Sequence, residues 1–177
     1  MHIFLISCMP NVGIVFSTPS FSFQCSAIID IKAGEELFYS YCGEDQSVAK
    51  RQVQLAPYGI VCSCPACKHA TPETDKLRTE YHKIAMDYIL NVQKVTSSNS
   101  KSAAESMIEP VLQFKDALIR EGLHYTSDYK AVILVIRKLY ESVGKEEEAR
   151  PYKEEYKRYK LPSEMVNGVM VFKIPEY

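Results

Sequence analysis

Residues Gly34 to Cys67 read GEELFYSYCGEDQSVAKRQVQLAPYGIVCSCPAC, and this stretch decides the fold. It opens on a Gly-Glu-Glu turn, where glycine permits a positive φ before the next element. Leu37-Phe38-Tyr39-Ser40-Tyr41 follows, an aromatic run with strand character. Tyr39 and Tyr41 stand two apart, so on a strand both rings face one side. Ser47 to Leu55 reads as a short helix with Val48, Arg51 and Leu55 on one side, and Pro57-Tyr58-Gly59 breaks it. The stretch closes on a C-x-C-x-x-C cluster, Cys62, Cys64 and Cys67. Structural zinc takes four thiolate or imidazole ligands in a tetrahedron, and this loop supplies three. Pro65 and Ala66 suit its turn. The fourth ligand must come from elsewhere: Cys8, far upstream, is one candidate and His69, two residues past Cys67, is another.

Six cysteines could instead form a disulfide framework, but three of them sit within six residues and none lies beyond Cys67. That spacing suits a metal in a reducing compartment better than cross-links between long loops. Cys25 has no partner at metal spacing and reads as a buried small hydrophobe.

Working outward, Ser7-Cys8-Met9-Pro10-Asn11 stands upstream of the turn. This segment, Gly34-Glu35-Glu36-Leu37, Tyr41, the Arg51-x-x-x-Leu55 and Tyr58-Gly59 pairs and the cysteine cluster together resemble the C-terminal part of a SET domain with its post-SET zinc loop. The resemblance covers about residues 3–67. SET domains are catalytic cores of protein-lysine methyltransferases that use S-adenosylmethionine.

The resemblance implies roles. Tyr41 matches the catalytic tyrosine, whose phenol oxygen orients the lysine amine towards the methyl group. Tyr39 matches the position that tunes how many methyl groups fit. Cys8 becomes the implied fourth zinc ligand beside Cys62, Cys64 and Cys67. Leu5 and Ile6 stand where the family has Asn-His beside the cofactor, and Ile60 where an aromatic packs near the adenine. Those aliphatic side chains offer no hydrogen bonds. No Gly-x-Gly cofactor loop occurs in the sequence. The expectation is a SET domain truncated at its N-terminus, with residues 1–6 from a different start or splice boundary, and weak cofactor binding by this chain alone. The substrate implied is a protein lysine. The competing reading is a non-catalytic, zinc-stabilised interaction module.

Around this centre, Val12 to Phe16 and Phe21 to Ala27 read as strands, the second alternating as a half-buried strand does, with Thr18-Pro19-Ser20 as the turn. After residue 71 helical periodicity takes over. Thr71-Pro72-Glu73 opens a helix to about residue 95; Ser102-x-x-Glu105 is a capping box for a second, ending near Gly122, with Pro110 kinking it or marking its true start. Thr126 or Ser127 caps a third, closed by Gly144, and Lys145 to Lys160 forms a fourth, stopped by Pro162. Val169-Met170-Val171-Phe172 is a β-like tail that docks on these helices. His82 and His124 lack metal spacing and read as surface or capping residues. The fold expected is α+β, with a partial SET domain over 1–45, a post-SET zinc region over 46–70 and a helical lobe over 71–177. The lobe offers a surface to a protein partner and resembles a tetratricopeptide-like array loosely, or a plain helical bundle.

The chain's 177 residues, 46% hydrophobic and 24% charged, carry a formal net charge of -1. That balance argues against a direct nucleic-acid partner. No apolar run approaches the roughly 20 residues of a membrane span, and MHIFLISCM lacks the basic start of a signal peptide. An intracellular protein, of nucleus or cytoplasm, is expected.

Overall fold

The computed structural model describes residues 5–18, 20–158, 164–166 and 169–171. The expected helix end at Lys160, the Pro162 stop and Phe172 lie outside the described residues. Four short strands come first: β1 (Leu5–Ile6), β2 (Val12–Ser17), β3 (Ser22–Ala27) and β4 (Phe38–Tyr39). Helices α1 (Val48–Leu55), α2 (Pro65–Lys68), α3 (Pro72–Ser97), α4 (Lys101–Arg120), α5 (Ser127–Ser142) and α6 (Glu146–Arg158) follow, then a hairpin of β5 (Glu164–Val166) and β6 (Val169–Val171). The class is α+β, as the sequence reads.

β1 and β4 pair in parallel, Leu5 with Phe38 and Ile6 with Tyr39. Asn11 secures this pairing from the loop between them. Its side-chain amide donates to the Glu36 carbonyl at 2.8 Å, and its Oδ1 accepts from the Phe38 amide at 2.7 Å. Among the described residues, β4 is shorter than the Leu37 to Tyr41 run expected.

β2 and β3 form an antiparallel hairpin with Phe16 opposite Phe23. The alternation in Phe21 to Ala27 predicts a half-buried strand, and here the structure differs: β3 is almost wholly exposed, with Phe23 76% accessible and Phe21, just before it, 83%. Phe16 meets Phe21 and Phe23 edge to face at 5.3 and 5.2 Å, so the rings shelter one another. Cys25 is exposed for the same reason, not buried as its neighbours suggest.

The helical core is built around α5. Val132, Ile133, Val135, Ile136 and Leu139 are all buried, too wide a stripe for one neighbour. α5 packs on α3, α4 and α6 accordingly. Ala85 and Val92 of α3 and Val111, Phe114 and Leu118 of α4 close the same core. Each fully buried Leu or Ile contributes about 1.5–3 kcal/mol of transfer free energy. Thr71 caps α3 in a reciprocal box with Thr74. α4 starts one residue before the expected box, at Lys101 with Ser100 as N-cap, and runs on through Pro110. Proline removes one ladder bond there. Ser106, whose carbonyl that bond would have reached, is exposed to solvent. Gly122 ends this segment at φ +69°, and Gly144 follows α5 at φ +82°. Among the described residues, no helix is long and apolar enough to cross a membrane.

Contacts among the described residues tie the helical lobe to the segment before it. Asp75 of α3 accepts from the Val48 amide at 2.7 Å and so caps α1, whose own N-cap Ser47 makes no side-chain bond. Arg78 of α3, fully buried, pairs with Glu121 at 2.7 Å, donates to the Glu121 carbonyl, and reaches the Glu44 carbonyl at 3.2 Å. Met9 lies against Gly122, where a Cβ would come within 2.7 Å of its Cγ.

Candidate metal site and tyrosine cleft

Cys8, Cys62, Cys64 and Cys67 converge, with their four Sγ atoms all within 4.8 Å of one another. Cys8 Sγ stands 3.7 Å from Cys62 Sγ and 3.5 Å from Cys67 Sγ. A tetrahedron of thiolates around zinc, at a Zn–S distance of about 2.3 Å, has edges of about 3.8 Å, so the donor set fits that ion. Of the two candidates for fourth ligand, Cys8 is in the cluster. His69 is exposed at the end of α2 and is not among the clustered groups.

The sequence builds this cluster from three directions. The Ser7-Cys8 segment follows β1, with Ser7 Oγ accepting from the Met9 amide at 3.0 Å. The short helix α2 begins right after Cys64, and the Cys67 and Lys68 amides both donate to the Cys64 carbonyl at 2.9 Å. α1 holds the loop from its flank: Gln52 donates to the Cys62 carbonyl at 2.8 Å and accepts from the Cys62 amide at 3.2 Å. Leu55, fully buried, fills the space beneath, with Ile6 and Ile60 against it.

Thiols this close share protons. Contacts with Cys42, Cys64 and Cys67 push Cys8 towards the protonated form. Its neighbours Cys67 and Cys8 push Cys64 towards thiolate, and Cys64 in turn raises Cys67 to about 11. Only a bound cation lets all four ionise together. Cys42 adds a fifth thiol, its Sγ 3.5 Å from Cys8 Sγ, and that contact is the main cause lowering its pKa to about 6.

Beside the cluster lies an open cleft of about 560 Å³ lined by Tyr39, Ser40, Tyr41, Cys42 and Tyr58. Tyr39 and Tyr41 meet edge to face at 5.5 Å, and Tyr41 meets Tyr58 at 5.3 Å. The expected common side for Tyr39 and Tyr41 therefore holds, although Tyr41 lies past the end of β4. Tyr41 is half exposed and Tyr58 more so. Ser40 turns the chain here: its Oγ donates to the Cys42 carbonyl at 3.0 Å, which brings Cys42 in towards Cys8 as Tyr41 faces the cleft.

No family model matches the chain. Curated relatives do. The histone-lysine N-methyltransferase SET5 of Meyerozyma guilliermondii is 31% identical over 106 residues, 58% of this chain and 22% of that protein. The protein-lysine N-trimethyltransferase SMYD5 of Homo sapiens is 40% identical over 65 residues, 34% of this chain and 16% of that protein. The SET5 protein of Candida albicans is 30% identical over 95 residues, 53% of this chain and 16% of that protein.

The chain is similar to part of these named lysine methyltransferases.

The match spans between 16 and 22% of the length of these relatives. The structure gathers some of the expected site residues and separates others. Tyr39 and Tyr41 share the cleft with Tyr58. Leu5 is 44% exposed on β1, whereas Ile6 and Ile60 turn towards the cysteines and do not line the cleft. Gln52 and Cys42 escaped the sequence reading as site residues, and so did the role of Arg51. Only Arg51 carried a signal, its place in the R-x-x-x-L pattern. His124 is another departure. It is partly buried against Tyr129, its Nδ1 lacks a partner among the described residues, and burial lowers its pKa. His82 behaves as expected, exposed and bonded to Asp128 at 2.9 Å.

Proposed function

We propose that the SET-related chain forms the lysine-binding side of a protein-lysine methyltransferase, and that the whole protein transfers methyl groups from S-adenosylmethionine to protein lysine. The observation that supports this best is the three-tyrosine cleft abutting a four-cysteine cluster, in a relative of named lysine methyltransferases. The SET portion would span 1–45, the zinc region 46–70 and the lobe 71–177. Zinc would be held by Cys8, Cys62, Cys64 and Cys67 and would fix the loop beside the cleft without taking part in the reaction. A site of this kind fits a reducing, intracellular setting, nucleus or cytoplasm.

Tyr41 would act as the catalytic tyrosine. Its hydroxyl would hydrogen-bond the substrate amine and hold the nitrogen lone pair in line. The Tyr39 hydroxyl would restrict the room left for added methyl groups. S-adenosylmethionine, when bound, supplies an electrophilic methyl on a sulfonium. Leu5, Ile6 and Ile60 would offer it at most aliphatic contact, and each hydrogen bond foregone is worth about 0.5–1.5 kcal/mol. Those three residues favour the second reading, a zinc-stabilised interaction module whose lobe binds a protein.

The test is incubation of the metal-loaded protein with a lysine-containing protein pool and S-adenosylmethionine carrying an isotopic methyl, in excess, followed by mass spectrometry. Label on lysine is expected. No label, with no heat of cofactor binding by calorimetry, would overturn the enzyme reading and leave the interaction module.

A further inference from the structure

Two arginines are fully buried, Arg51 and Arg78. Arg78 pairs with Glu121. Arg51 pairs with no carboxylate among the described residues. Its Nη1 donates to the Gln46 carbonyl, its Nη2 donates to the Ala66 carbonyl at 3.3 Å, and its Nε has no partner among the described residues. Two carbonyls do not neutralise a guanidinium, and an isolated buried cation is strongly disfavoured. The remaining neighbour is a sulfur: Nη2 lies 3.7 Å from Cys67 Sγ.

The opposite problem exists next door. A zinc ion with four thiolates carries a net charge of about -2. That charge sits in a largely buried pocket, with Cys8 and Cys62 almost inaccessible. Each group lacks a counter-charge, and each is the other's nearest candidate.

We propose that Arg51 is the outer-shell counter-ion of the four-cysteine metal centre, donating to the Cys67 thiolate and compensating the excess negative charge of the loaded site. The inference rests on the zinc reading. It makes Arg51 a positioning residue for the metal loop and ties α1 to metal occupancy. Outer-shell partners of this kind commonly change metal affinity by about 10- to 100-fold. A donor to a thiolate also lowers the energy of the sulfur lone pairs, so its loss moves the sulfur-to-metal charge-transfer absorption to longer wavelength.

The experiment loads the reduced full chain with cobalt(II), then with zinc, for wild type, Arg51→Gln, Arg51→Lys and the exposed α1 control Val53→Ala. Two readouts are taken: the charge-transfer band of the cobalt form, and the rate of zinc release to a chromogenic chelator. Arg51→Gln is expected to red-shift the band and speed release about 10- to 100-fold. Arg51→Lys keeps the charge and loses the planar fork, so it should release zinc at an intermediate rate. Val53→Ala should match wild type. If Arg51→Gln lowers the melting temperature yet leaves band and release rate unchanged, Arg51 is a packing residue and the proposal fails alone. If Arg51→Gln does not fold, Arg51→Lys decides: an unshifted band and wild-type release overturn the proposal. Wild type that takes up neither metal would overturn the zinc reading and this inference with it.

Discussion

Tyr41 and Tyr39 differ by position and share chemistry, so each controls for the other. Tyr41→Phe removes one hydroxyl from a half-exposed ring and should leave the melting temperature within about 1 °C of wild type, the size of a small surface change. In an active form of the protein it should lower methyl transfer by about 100-fold or more, read by mass spectrometry. Tyr39→Phe should keep turnover and shift product towards more methyl groups; loss of all turnover would reverse the two assignments. His124 gives a pH prediction. Burial depresses its pKa, so the unfolded chain binds the extra proton first as pH falls. Stability is full above the unfolded value of about 6.5 and declines as pH falls towards the folded one. His124→Phe should flatten that decline in thermal melts between pH 7 and pH 5. The tyrosine pair and three of the cysteines were legible because their geometry is set by neighbours in sequence. Tyr58, Cys42 and the Arg51 contact to Cys67 were not, because each depends on where distant segments fold.

Helix α1 is an element whose stability comes from outside itself. It has eight residues, no acidic first turn and no cap of its own, and isolated helices that short are marginal. Asp75 supplies the missing cap from α3. Asp75→Ala should therefore cost about 0.5–2 kcal/mol, seen in denaturant melts, whereas Asp75→Asn, still an acceptor, should cost less. A cost no greater than that of an exposed α3 substitution would mean α1 does not need this cap. The long helices were readable from their apolar spacing and the Thr71 and Thr126 caps, since those signals are local. The α4 start was displaced to Ser100, a position that makes no side-chain cap bond, so no local cap signal marks it. The β3 alternation correctly gave a strand and misled about burial. Period two says which residues share a face, not whether anything covers it.

At the scale of the molecule, the loop bearing Cys8 touches the helical lobe through Met9 and Gly122. Gly122→Ala meets two obstacles. The first is a left-handed backbone that costs a side chain about 1–2 kcal/mol; the second is overlap with Met9. Unfolding should show a loss of about 2–4 kcal/mol. Gly122→Ala with Met9→Ala should recover part of it, the backbone cost remaining. Equal loss in single and double variants, once the cost of Met9→Ala alone is subtracted, would show that Met9 yields freely. The order of elements was legible in the sequence, and this docking was not, because nothing in Met9 or Gly122 marks them as partners. Arg78 has a consequence of another kind. Its guanidinium is sealed between the Glu121 carboxylate and the Glu44 carbonyl, three residues past Tyr41. An Nε proton enclosed in that way exchanges slowly and resonates apart from the exposed arginines, which makes it a natural magnetic-resonance probe: whatever enters the tyrosine cleft and shifts the Glu44 carbonyl is reported from inside the helices.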